Sequence, residues 1–149
     1  MDTSNSLVNS SYNIEGAKRL YSPTQVACGT LGGPVGLVYF IYANFVALKN
    51  ENGRKNTLKY GALFILALVI LMPFLPENVP SSAFTAVYIV IARYVVKTYQ
   101  MEKNDINASS EFEFHSNWRV FGISLLCLLA SVVVLLGPIL LMIMTGVIE

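Results

Sequence analysis

Charge is what this sequence has least of. Only 13% of its 149 residues are charged, where a soluble domain carries about 25%. The scarcity is uneven, and no acidic residue falls inside any of four long apolar stretches. Proton- or cation-coupled carriers rely on such buried acids, so their absence argues against that class. His115 is the single histidine, whereas a membrane metalloprotease needs two. Ser124 and Ser131 have no His or Lys in the same apolar region to activate them, which removes a serine nucleophile. The two cysteines, Cys28 and Cys127, lie in apolar stretches without metal or redox spacing, and read as packing thiols. Phosphate-cradling loops are missing, and a net charge of +1 leaves no footprint for nucleic acid. Neither an enzyme nor a cofactor is expected.

What the chain has in quantity is apolar length: 54% of it is hydrophobic. The expected fold is all-α, a four-helix transmembrane bundle spanning about residues 24–48, 60–75, 81–99 and 118–148, since about 20 residues cross a bilayer. Residues 1–21 read as a polar tail and 22–149 as the membrane domain. The first twenty residues contain no apolar signal region, there is no myristoylation start, and the last residues form no prenylation box. Attachment is therefore expected to come from the spans themselves. An Asn9-Ser10-Ser11 sequon reads as chance.

The first span is the unusual one. Gly29, Gly32, Gly33 and Gly36 form two interleaved Gly-x-x-x-Gly pairs around Pro34, a pattern that lets helices approach closely where lipid removes any hydrophobic drive. Proline there deletes a backbone donor and kinks the helix, so a neighbour must shield the break. The span is accordingly expected at the centre of the bundle. Asn44 is expected to bond to a neighbouring helix. The second span, Leu/Ile/Ala-rich, is expected to face lipid, Leu68 included. Lys49–Lys59 reads as a short basic loop, residues 100–116 as the longest hydrophilic connection, and the fourth span as interrupted at Gly137-Pro138.

Basic residues set the orientation. Lys49, Arg54, Lys55 and Lys59 follow span one, and Lys97, Lys103 and Arg119 lie between spans three and four; Lys18 and Arg19 alone oppose them. The positive-inside rule then places both loops in the cytoplasm and both termini outside. All six prolines fall on or toward the outer side in that arrangement, where Pro34 and Pro138 would splay the helices around a cavity or merely accommodate their length.

Two further constellations stand out. Arg93 is the charge embedded in a span; it reads as snorkelling to the nearby interface, or as an anion or inter-subunit contact. In Glu111-Phe-Glu-Phe-His115 an extended chain would put Glu111, Glu113 and His115 on one face, a spacing able to hold a divalent metal. The plainer account is an interfacial segment whose Phe rings dip toward lipid beside Trp118. No metal site is assigned.

Tyr21-Ser22-Pro23-x-Gln25, Gly33-Pro34 and Asn44-Phe45 together resemble a group of small uncharacterised bacterial four-span inner-membrane proteins. The resemblance implies a bacterial inner-membrane location and draws attention to Gln25, Gly33, Pro34 and Asn44. The expected function is non-enzymatic: a small membrane protein acting by protein–protein contact or self-association, as an accessory subunit or an immunity-type protein. The alternative is a homo-oligomeric channel or small-solute permease. Beyond the lipid bilayer, no partner can be named from the sequence.

Overall fold

Residues 18–76 and 78–146 are described by a computed structural model; most of the expected polar tail, with its sequon, lies outside them. Of the described residues 80% are helical. Three helical stretches among them are long and apolar enough to cross a membrane: Pro23–Ala47, Glu51–Phe74 and Asn117–Met144, of 25, 24 and 28 residues.

The first of these is not straight. Ser22 starts helix α1 (Pro23–Gly29) with a capping box: its hydroxyl accepts the Gln25 backbone N–H at 3.2 Å while the Gln25 side chain accepts the Ser22 N–H at 3.0 Å. A short 3₁₀ turn over Thr30–Gly32 leads to Gly33, whose φ of +75° a residue with a side chain rarely adopts. Pro34 then opens helix α2 (Gly33–Ala47) at a position where its missing N–H costs nothing. The chain has reversed. Asn44, eleven residues along α2, hydrogen-bonds the backbone of Tyr21 at 2.8 Å; a straight helix would hold those two residues about 35 Å apart. Tyr21 lies opposite Asn44 and Gly29 opposite Gly36, both pairs equidistant in sequence from the Gly32–Gly33 bond. The stretch expected as one straight span is instead a helical hairpin.

Asn50 caps helix α3 (Glu51–Leu71), accepting the Gly53 N–H at 2.8 Å, and Glu51 in the first turn pairs with Arg54 at 2.7 Å. The basic segment expected as a loop is therefore the first two turns of a helix. A cap and an i,i+3 pair outweigh its polarity, and only Leu48–Asn50 turns the chain. After the proline-rich turn, helix α4 (Ser81–Tyr99) returns; with Arg93 and Lys97 in it, it is not among the three most apolar helices. The long connection is also structured. It holds helix α5 (Lys103–Ala108) and strand β2 (Phe112–Phe114), which pairs in parallel with strand β1 (Lys18–Leu20) in the register Lys18↔Phe112. Leu20 and Tyr21, expected in the tail, are 1% and 2% exposed. Helix α6 (Asn117–Met144) runs unbroken through Gly137-Pro138, contrary to the expected interruption.

Reversal of the hairpin changes which ends coincide. The start of α1, the end of α2, the start of α3, the end of α4, both strands and the start of α6 all meet at one end, tied there by Asn44, Gln100 and Gln25. From that end α3, α4 and α6 each traverse the molecule. Lys18 and Met144 thus lie at opposite ends, whereas a straight first span puts them together. The hairpin reaches only part of the way: its turn meets α6 at Ser124–Ser131, between seven and fourteen residues, or about 10–21 Å, from the start of that helix.

The hairpin is also the core. Val26, Leu37, Phe40, Ile41 and Phe45 are buried along it, whereas α3 buries only Leu68. At 7% exposure, Leu68 packs inward rather than toward lipid as expected.

Candidate functional site

Two polar side chains that the sequence points to, Asn44 and Gln25, hold the hairpin, with distinct tasks. Asn44 is 2% exposed and fully engaged: Oδ1 accepts the Tyr21 N–H at 2.8 Å, and Nδ2 donates to the Tyr21 carbonyl at 2.8 Å and to Gln100 Oε1 at 2.9 Å. Gln100 Nε2 in turn donates to the Ile41 carbonyl at 3.0 Å. This network locks the mouth of the hairpin to the end of α4. Gln25 closes the other side, donating to the His115 carbonyl at 2.7 Å and to Asn117 Oδ1 at 2.8 Å, which fixes α1 to the start of α6.

At the tip, Ser131 attends to the break. Its hydroxyl donates to the Gly32 carbonyl at 2.7 Å and accepts the Val35 N–H at 3.3 Å. These are backbone groups that the reversal leaves without helical partners, and in an apolar interior each would cost several kcal/mol if orphaned. Ser131 was weighed in the sequence only as a nucleophile. A hydroxyl deep in a largely apolar span is the available signal for its structural role, as Ser22-x-x-Gln25 before an apolar run is for the cap.

The glycines do not form one Gly-x-x-x-Gly stripe. A Cβ on Gly36 would sit 2.5 Å from the Gly29 carbonyl oxygen, so that pair sets the closeness of the two arms. A Cβ on Gly32 would sit 2.7 Å from the Ser124 carbonyl oxygen, and one on Gly33 2.7 Å from Ser131 Oγ; these two fit the tip against α6. A Cβ on Gly29 would strike the Phe40 ring. Pro34 is buried at the start of α2. Arg93 stays apart, exposed on α4 and outside the ion pairs found among the described residues.

Glu111, Glu113 and His115 are not gathered. Glu113 faces Arg19 at 3.8 Å, His115 stacks on Tyr21 with ring centroids 4.2 Å apart, and no cluster of metal-ligating side chains occurs among the described residues. His115 Nδ1 is buried without a hydrogen-bond partner. Burial, with Arg119 and Arg19 nearby, lowers the His115 pKa and favours the neutral ring.

A cleft lies toward the end where the strands meet. It measures about 620 Å³ and opens between α3 and α4 over a floor of α2. Leu37, Val38, Ile41, Phe64, Ile91 and Val95 line its depth, with Asn56, Thr57, Tyr60 and Tyr99 toward the mouth. Such a space binds apolar surface; nothing in it is placed to activate a nucleophile or hold a metal. Comparison with protein families, with curated proteins and with solved structures finds no match to the chain.

Proposed function

We propose that this chain is a non-enzymatic integral membrane protein that acts through contacts made inside the bilayer. One observation carries that reading. The buried Asn44 and Ser131, together with Gln100, are engaged in holding the hairpin, and the cavity next to it is lined mostly by apolar side chains. A membrane protein built this way offers surface and shape rather than chemistry.

The reading includes a topology with three full crossings, α3, α4 and α6, around the hairpin. All ten Lys and Arg residues belong to the end where β1 and β2 meet or, for Arg93 and Lys97, to the last two turns of α4 approaching it. The opposite turn, Leu75–Pro80, has none. The positive-inside rule then assigns the strand end to the cytoplasm and the end of α6 to the outer side. The reversal removes the conflict that Lys18 and Arg19 pose for a straight first span, because they join the other basic residues. A bacterial inner membrane suits this arrangement.

An accessory or immunity-type role, with a heterologous membrane protein as partner, is the leading form of the proposal. A homo-oligomeric channel is the second, favoured by the broken helix, since half-helices line many permeation paths. Affinity purification of the full chain in mild detergent, with in-membrane crosslinking, separates them. A stoichiometric foreign membrane protein supports the first; a ring of identical chains with ion flux in liposomes would overturn it in favour of the second.

A further inference from the structure

The cleft between α3 and α4 is unclaimed by the hairpin's own packing, and its dimensions suit one kind of occupant. Along α3 its lining runs from Gly53 to Phe64, about 16 Å of helix. Its upper half, residues 53–59, is polar and basic, and the apolar wall below it reaches Phe64. Polarity is graded along the same line. Asn56, Thr57 and Tyr99 stand near the strand end, while Leu37, Phe64 and Ile91 stand deepest. A helix from another protein would need an apolar wall along its whole length, whereas this groove ends at Phe64, about two turns short of the end of α3 at Leu71.

Charge completes the match. Lys59 Nζ lies 5.9 Å over the ring of Tyr60, which forms part of the wall. Lys49 occupies the turn joining two of the walls, and the acidic Glu51 beside them is neutralised by Arg54 at 2.7 Å. A basic mouth over an apolar groove fits an amphiphile with one negative headgroup. We propose that the α2–α3–α4 cleft holds an acyl chain of an anionic phospholipid, its phosphate at the Lys49/Lys59 end. This rests on the reading that the protein is embedded in a bilayer, and it names the contact that the cleft makes there. Its volume lies within the range of about 300–1,000 Å³ typical of ligand pockets.

The test is native mass spectrometry of the purified full chain in detergent, titrated with dioleoyl phosphatidylglycerol or dioleoyl phosphatidylcholine. One saturable phosphatidylglycerol per chain is expected, with a preference of about tenfold over phosphatidylcholine, given roughly one decade per one to two nearby cations. Val95→Trp, which fills the groove, should abolish the tight adduct, with circular dichroism confirming that helicity is kept. Lys49→Gln with Lys59→Gln, both on exposed positions, should leave binding but erase the headgroup preference. Equal, unsaturable uptake of both lipids overturns the proposal, as does tight binding undiminished in Val95→Trp. A disulfide-linked dimer from Val95→Cys, with no lipid adduct, would assign the cleft to a second copy instead. Because these measurements are made in detergent, they stand apart from the topology: failure to bind lipid leaves the crossings untouched, and a wrong orientation leaves lipid binding intact.

Discussion

At the scale of single residues, the fold depends on side chains that satisfy backbone where the chain departs from straight helix. Asn44 is the clearest, serving both polar groups of Tyr21 and the amide of Gln100 from a buried position. Asn44→Leu keeps the volume but orphans those groups, at about 1–3 kcal/mol each. A loss on the order of 3 kcal/mol is expected in denaturant unfolding in detergent, and stability equal to the parent would show that the Tyr21–Asn44 tie is not needed. His115 gives a prediction in pH. Its folded pKa is lowered by burial, then by Arg119 and Arg19, so the unfolded chain binds the proton more readily. Its contribution is complete above the ordinary histidine value of 6.5 and declines as pH falls through the lowered folded value. Melting temperature should therefore fall between about pH 8 and about pH 5, and His115→Phe should flatten that part of the profile. A parent profile already flat would contradict a buried neutral ring.

At the scale of elements, the hairpin tip and α3 make opposite demands. Gly33→Leu forces a side chain into positive φ and against Ser131, and an overpacking cost of about 1–3 kcal/mol is expected. Leu68→Ala truncates the one fully buried residue of α3 and should cost about 2 kcal/mol, the low end for a buried leucine, because lipid already solvates the apolar alternative. Thermal melts in detergent compare them, and a silent Leu68→Ala would return α3 to a purely lipid-facing role. These elements also mark how far the sequence could be read. Helical class, the extent of α4 and attention to Gly33, Pro34 and Asn44 follow from apolar length and local chemistry, while Gln25 is pointed to by the resemblance alone. The reversal does not, because apolar periodicity reports a helix without reporting its direction; only Tyr21 meeting Asn44 reveals it. Nor does the inward face of Leu68, since a Leu/Ile/Ala run looks alike on every side. The pairing of β1 with β2 joins segments over ninety residues apart, with no short-range hairpin signal to announce it.

At the scale of the whole molecule, one reversal decides which helix ends coincide, and under the proposed topology it gathers the basic residues on one side. A straight Pro23–Ala47 would place Lys18 and Arg19 at the opposite end from Lys49; the hairpin brings them to one end, together with Gln100 and the start of α6. The most direct test uses single cysteines at Arg19, Asn52 and Gly146 in a chain carrying Cys28→Ser and Cys127→Ala, expressed in a bacterial inner membrane. Intact spheroplasts are treated with a membrane-impermeant maleimide. A re-entrant hairpin requires Arg19→Cys and Asn52→Cys to behave alike, reacting only after permeabilisation, while Gly146→Cys reacts at once. Labelling of Arg19→Cys together with Gly146→Cys, with Asn52→Cys protected, would mean that the first stretch crosses the membrane and that the hairpin does not form there.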